Sequence, residues 1–359
     1  MPATLPRERM QTALRGGQPD RTPVALGSFP MTLPQLPNHD PDEYFGTDIR
    51  YVSFRPLPEE KQFLDYLRGL PKHVPMGETA TLRTYWEWGY HPERPGAEPL
   101  AKARTVEELD LSSLPKTTDP SRYQGLSERV QAYHERGLPV MGMPPHLGGE
   151  VFETAWRLRG FRQLLWDLKR NRELARYLFD QITAMLLHNT VVLARARVDV
   201  LALDDDVGAP TSMIISPAVW REFLRPGMRK AIELAREAKP DILVLYHSDG
   251  YVEPIIPDLI EVGVNGLNPV QPDVMDPARL KRKYGERIAL WGTVGTQTLW
   301  SWGSPNEIEA EVRLRIETVG RGGGFVVSPA YDIDVPEVPL ENVAAFVKAA
   351  KEYGAYQSG

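Results

Sequence analysis

The chain has 359 residues, enough for one large domain or two ordinary ones, with 25% charged residues and a net charge of −6. Lys and Arg scattered within a net negative balance argue against nucleic acid or an anionic membrane surface as partner, and the polar opening and lack of a spanning apolar run point to a cytoplasmic protein. There is no cysteine, which excludes disulfides, thiolate nucleophiles and thiolate metal sites, so a metal would fall to His, carboxylate, tyrosinate or water.

Residues 7–15 predict a short amphipathic helix stopped by Gly16-Gly17, a helical extension over residues 1–20. A strand follows near Val24. Residues 28–39 carry three prolines and predict a rim loop that includes Met31. Ile49–Phe54 alternates as a second strand, and the aromatic, Pro-rich stretch 79–102 predicts a β-hairpin insertion. Helical patterns at 106–111 and 126–136 precede a third strand, Val140–Met143, which closes on Pro144-Pro145-His146. Continuous helices are expected from Glu150 to Asp167 and from Arg172 to Arg195.

From there one grammar repeats, an apolar strand that ends in polar or aromatic residues and gives way to a helix. Val198–Leu203 runs into Asp204-Asp205-Asp206, Ile242–Tyr246 into His247, Gly266–Leu267 into Asn268, Ile288–Leu290 into Trp291, and Phe325–Val327 into Ser328. Helices are expected at 217–238, 252–261, 276–284, 305–319 and 339–353. The strands number eight, which predicts an α/β fold, a single (β/α)8 TIM barrel over residues 1–359.

Ligands of such barrels bind beyond the carboxyl ends of the strands, so the strand tips supply the candidate site. His247 and Asp249 lie two apart on an extended segment, share a face, and can grip one ion or act as acid and base. Alternation points at most two of Asp204, Asp205 and Asp206 inward; Asp204 and Asp205 are the catalytic candidates, and the third is left to cap a segment. Glu150 and Glu153 open a helix and suit its dipole; they are also candidate metal ligands. Asn268 and Gln271 can hydrogen-bond a neutral substrate, and Trp291, His146 and Met31 complete the substrate-binding candidates. No Walker or Rossmann pattern is present, and no NAD, FAD, PLP or haem is expected.

Several phrases in this order resemble the uroporphyrinogen decarboxylase (URO-D) superfamily: RERMQTALRGGQPDRTPV, LDDDVG with SPAVWREFLRPGMRKAI, HSDG with DLIEVGVNGLNPVQP, GERIALWGTVGTQ, and GGGFVVSPAYDIDVPEVPLENVAAF. The resemblance implies a single TIM barrel with its site at the carboxyl face. It also implies one of two chemistries, decarboxylation of a tetrapyrrole or corrinoid-linked methyl transfer. In the decarboxylase, arginines in the loop after the first strand neutralise substrate carboxylates, whereas Gly27–Gln35 holds none, and walls formed by Asp204–Asp206 and Asp249 would repel a polycarboxylate.

In the zinc-dependent methyltransferases the metal is held by a His-x-Cys pair and a late Cys in the Gly-rich final strand. The matching positions here are His247-x-Asp249 and Tyr331, a carboxylate-and-imidazole set in place of thiolates, with Tyr331 as a catalytic candidate. The branch that looks most similar takes methyl groups from small donors such as aryl methyl ethers. The resemblance therefore implies a methyltransferase or O-demethylase with zinc and a corrinoid reached only through a partner protein; a homodimer is a separate expectation, since the sequence itself leaves the subunit count open. A decarboxylase of a small acid and a non-catalytic ligand-binding barrel are the alternatives.

Overall fold

The computed structural model describes residues 4–55, 57, 98–114, 116–146 and 149–356. Residues 79–97 of the expected hairpin insertion lie outside the described residues. Seven strands form among those described: β1 (Arg50–Val52), β2 (Val140–Gly142), β3 (Val200–Asp204), β4 (Leu243–His247), β5 (Gly266–Asn268), β6 (Ala289–Trp291) and β7 (Phe325–Val326). They pair in parallel and in chain order, which makes a curled, TIM-barrel-like sheet.

The strand expected near Val24 is reduced to a single bridge. Val24 pairs in parallel with Val327, and its carbonyl accepts the Asp48 N–H at 2.9 Å, so both edges of the sheet meet this segment. Pro23 has no N–H to offer and the Asp48 carboxylate takes the N–H of Val24 at 2.8 Å, so the ladder toward Val327 rests on the Ala25 N–H, which donates to the Val327 carbonyl at 3.1 Å, and on the Pro23 carbonyl, which accepts from Val327 at 3.0 Å.

Alternation sorts the strand side chains into two cores. Met141, Val200, Ala202, Leu243, Leu245, Ala289, Trp291 and Val326 form a cluster inside the curl. Their neighbours, such as Leu201, Leu203, Val244, Leu267 and Leu290, face outward into the larger cluster shared with the helices. The helix predicted at 7–15 forms at Pro6–Leu14, and its Met10, Ala13 and Leu14 belong to the interior cluster. It therefore seals the amino end of the strands. Gly266 makes room for it, because a Cβ there would lie 2.9 Å from Leu245 Cδ1 and 3.1 Å from Leu14 Cδ2.

Charges beneath this plug are fully partnered. The Asp199 carboxylate accepts from Arg7 Nε (2.8 Å), Gln11 Nε2 (3.1 Å) and the Val140 N–H (2.9 Å), and His134 Nε2 donates to it at 2.8 Å. Asp48 accepts from Arg9 (2.7 Å) and twice from Arg21 (2.7 and 2.8 Å), besides Val24.

Several helices differ from expectation at points where the backbone finds local competition. The helix expected over 150–167 splits into Phe152–Arg159 and Phe161–Arg170, and the Arg159 guanidinium ties the two through Asp167 at 2.7 Å. That over 217–238 splits into Pro217–Phe223 and Arg225–Ala238, where Pro226 has no N–H to bond back into the preceding turn. No α-helix forms over 106–111. There the Glu108 carboxylate takes the Arg104 N–H (2.6 Å) and Asp110 takes that of Ser112 (3.0 Å), leaving turns and a 3-10 turn at Leu111–Ser113. Among the described residues no helix is long and apolar enough to cross a membrane.

Candidate metal centre

Strand register builds the site. Asp204 of β3 pairs with His247 of β4, and His247 with Asn268 of β5. The inward positions Val200 and Ala202 lead to Asp204, and Leu243 and Leu245 lead to His247, so the apolar interior ends in a polar row at the carboxyl ends of the strands. This row faces a cavity of about 390 Å³, whose other walls include Leu26–Phe29, Met31, Glu153, Arg157, Asp206, Asp249, Gln271, Tyr331 and Asp332.

The imidazole of His247 is held from behind. Its Nδ1 lies 2.6 Å from Asn268 Oδ1, which can only accept, so Nδ1 carries the proton. The Asn268 amide is itself oriented, with Nδ2 3.4 Å from the Trp291 carbonyl, and Ser28 Oγ lies 3.1 Å from the same Nδ1. Nε2 then turns its lone pair toward Asp206 Oδ1 at 3.9 Å and Asp204 Oδ1 at 4.0 Å. One ligand atom from each of Asp204, Asp206 and His247 falls within 4.8 Å of the others. Two carboxylates and an imidazole whose second nitrogen donates to a neighbour form a donor set that fits a divalent cation such as zinc. The Phe29 ring packs on the imidazole, with centroids 4.6 Å apart.

Asp206 reaches this position because the loops after β3 and β4 touch backbone to backbone. A Cβ on Gly208 would lie 2.3 Å from Asp249 O, and Gly250 turns with a φ of 79°. The Asp249 N–H donates to Asp206 Oδ1 at 2.6 Å. The Asp249 carboxylate lines the cavity but stands outside the converging trio; it accepts from Gln271 Nε2 at 3.0 Å, while Gln271 Oε1 accepts the Gly250 N–H at 3.0 Å.

Other residues expected at the site take different places. Asp205 points away from the cavity, where its carboxylate accepts the Phe152 and Glu153 N–H groups at 2.8 and 3.0 Å. It caps a helix, as strand alternation requires once Asp204 faces in. Glu153 lines the cavity and accepts the Asp206 N–H at 3.3 Å. Glu150 lies behind it, buried, its N–H bonded to the Asp204 carbonyl at 2.6 Å. His146 stands on the same rear side, Nε2 3.5 Å from Asp204 Oδ2. Trp291 fills the interior beneath the site instead of lining the cavity, whereas Met31 and Tyr331 do line it. The Tyr331 hydroxyl donates to Asp273 at 2.8 Å.

Crowding of acids sets the electrostatics. Burial, followed by repulsion from Asp206 and Glu150, pushes the Asp204 carboxyl well above its ordinary range. Burial and the neighbouring aspartates raise Glu153 to about 8. Burial, opposed by the N–H groups it caps, takes Asp205 to about 7. Asp249 rises to about 6 through burial, an effect that His247 offsets in part. His146 goes the other way, to about 4, through burial and then the charge of Arg157. Acids so placed hold protons that a cation displaces.

The sequence reading placed Asp206 on the acidic wall or as a cap and not among the ligands, and it did not single out Ser28, Phe29 or Arg157. The rule applied to His247 and Asp249, that residues two apart share a face, points equally to Asp206 once Asp204 is inward. Arg157 follows Glu153 by one helical turn, 3.5 Å away, and so faces the same cavity.

A parallel α/β sheet with a polar site at its carboxyl ends is the layout of a TIM-barrel-like protein. The family model for uroporphyrinogen decarboxylase (URO-D) matches residues 98–353, and the chain belongs to that family. It is 30% identical over 233 residues to a methylcobamide:CoM methyltransferase, MtaA, of Methanosarcina barkeri, a match that spans 65% of this chain and 65% of the relative's length. Identity to a uroporphyrinogen decarboxylase of Coxiella burnetii is 26% over 182 residues, 49% of this chain and 46% of that one. A solved methyltransferase from Methanosarcina mazei shares the fold, with a TM-score of 0.64 at 20% identity over 98% of this chain and 99% of the other.

Proposed function

We propose that this chain is a cytoplasmic methyltransferase that draws a methyl group from a small neutral donor, such as a methoxylated aromatic, for delivery to a corrinoid held by a partner protein. It acts as one closed (β/α)8 barrel in which the Val24 segment is the eighth stave. The observation that carries this reading is the convergence of Asp204, Asp206 and His247 at an open cavity. The similar methyltransferase has methylcobamide in its name, which supports a corrinoid partner.

Asp204, Asp206 and His247 would hold the divalent cation, with zinc the first candidate. When bound there, the cation supplies a Lewis acid for the oxygen that leaves the methyl group. Asn268 fixes the ring and tautomer of His247. Phe29 and Met31 give the cavity an apolar surface for an aromatic donor, and Gln271 holds Asp249, also on its wall, through a hydrogen bond of 3.0 Å. The donor's carbon–oxygen bond breaks, the leaving oxygen takes a proton from solvent in the cavity and ends as a phenol, and the electron pair for the new bond to carbon comes from the carrier's reduced cobalt. The acids Glu153, Asp206, Asp249 and Asp332 on the walls disfavour a substrate with several carboxylates.

The test supplies zinc, a reduced corrinoid protein and a panel of methoxylated aromatics, and reads phenol release together with methylation of the carrier. Both are expected with the unaltered chain and absent with His247→Ala. Failure of every donor, in protein shown to bind no divalent metal, would overturn the reading. Arg157 on the cavity wall favours a second reading, decarboxylation of a small monoacid, which the same assay separates as release of carbon dioxide without a corrinoid.

A further inference from the structure

Behind Asp204, away from the main cavity, lies a small space of about 10 Å³ walled by Thr117, His146, Glu150 and the apolar Ile182 and Leu186. Three buried polar atoms on its walls, Thr117 Oγ1, His146 Nδ1 and Glu150 Oε1, have no hydrogen-bond partner among the described residues. Leaving even one such atom dry costs more than an ordinary hydrogen bond contributes, so three around one space demand an occupant. Size decides which. A single water needs about 10–15 Å³ of such space and usually makes about three hydrogen bonds, whereas a hydrated cation or an organic molecule needs more.

We infer that one ordered water sits here, accepting from Thr117 Oγ1 and donating to His146 Nδ1 and Glu150 Oε1, and that it makes His146 a positioning residue for Asp204. His146 Nε2 lies 3.2 Å from Met143 Sδ, which can only accept, so this nitrogen carries the proton, and Asp204 Oδ2 stands 3.5 Å from it. Nδ1 is then a bare lone pair that needs a donor. Thr154, on the same wall, gives its hydroxyl hydrogen to the Gly149 carbonyl at 2.6 Å. The water supplies the missing donor and locks the tautomer. Without it the imidazole is free to flip and turn a lone pair on Asp204. The positioning role rests on the proposed metal trio; the water itself does not.

The test combines a high-resolution crystal structure, nitrogen-15 NMR of labelled histidine, and Co(II) titration of Thr117→Val, Glu150→Leu and Glu150→Gln beside the unaltered protein. Expected are density for one water within bonding distance of all three atoms and His146 protonated on Nε2. Thr117→Val and Glu150→Leu should bind Co(II) about 10-fold more weakly, with an altered visible spectrum, while Glu150→Gln stays near the unaltered protein. The near-isosteric Thr117→Val keeps the test sound if Glu150→Leu fails to fold. A dry space, or a proton on Nδ1, overturns the water. A water present with Co(II) affinity equal in all variants overturns the positioning role. Unaltered protein that binds no Co(II) removes the metal trio and that role together, while density and nitrogen-15 shifts still decide the water.

Discussion

The two ends of the curled sheet treat buried charge in opposite ways. At the amino end Asp48 and Asp199 are wrapped by Arg9, Arg21, Arg7 and His134, with backbone N–H groups on the remaining lone pairs. At the carboxyl end Asp204, Asp206, Glu153 and Glu150 face one another. Charge that is paired and hydrogen-bonded holds a fold together, whereas like charge gathered at a cavity costs stability unless a ligand or proton neutralises it. This chain therefore gives up stability at the end that carries the candidate site and recovers it at the other, and four measurements bear on that contrast.

The largest effect belongs to the paired end. Asp48→Ala leaves Arg21 and the Val24 N–H without their partner and should destabilise the protein by about 3–5 kcal/mol in urea unfolding. A loss under about 1 kcal/mol would mean the pairing does not hold that end.

Next comes the pH profile of metal-free protein, in which the ends should oppose each other. Carboxyls raised on folding bind their protons more tightly than the unfolded chain does. Their contribution is complete below the ordinary value of 4.5 for a glutamate and drains away as pH rises through about 8 for Glu153. Asp205 behaves likewise through about 7, from an ordinary 3.8. Glu43, held down to about 2 by Arg136 and Arg50 at the amino end, contributes above its ordinary value and loses that contribution as pH falls. Stability should therefore drop on the order of 1 kcal/mol per pH unit between about pH 5 and 8. Saturating zinc should flatten or reverse the slope, and a slope indifferent to zinc would sever the acid cluster from metal binding.

Third, Asn268→Ala frees the far nitrogen of His247 and should weaken Co(II) or zinc binding by about 10–100-fold with little change in thermal unfolding. Equal affinity would show that the Asn268 contact does not prepare His247 as a ligand. Smallest is Asp204→Asn, which removes one of the opposed acids and should raise metal-free stability by about 1 kcal/mol at neutral pH while lowering metal affinity. Destabilisation there would place Asp204 with the paired acids instead.

Much of this layout is legible in the sequence because parallel strands are short, apolar and end in polar residues. The runs ending at Asp204, His247 and Asn268 fix both the strands and the inward face, since a period of two leaves no choice once one residue is placed. Elsewhere the pattern is ambiguous. Asp205 and Asp206 are the same residue type in adjacent places; alternation separates them once Asp204 is placed inward, and the helix start at Phe152 on one side and the close pass of Gly208 and Gly250 on the other give each its partners. Val24 fails as a full strand because a side chain, Asp48, competes for its N–H, an event among residues distant in pattern. Likewise the helix breaks at Gly160 and Leu224 interrupt no hydrophobic period, so they pass unnoticed in a reading of spacing alone.

The helix Pro6–Leu14 packs the amino end of the curl with Met10, Ala13 and Leu14, below the buried Trp291. Among the described residues these side chains close that end, which leaves the mouth at the opposite pole as the approach to Asp204 and His247. Under the methyl transfer proposed above, a small donor would have to enter before a carrier docked over that mouth, and what remained of it would wait for the carrier to lift away, so the plug would impose a queue at a single doorway.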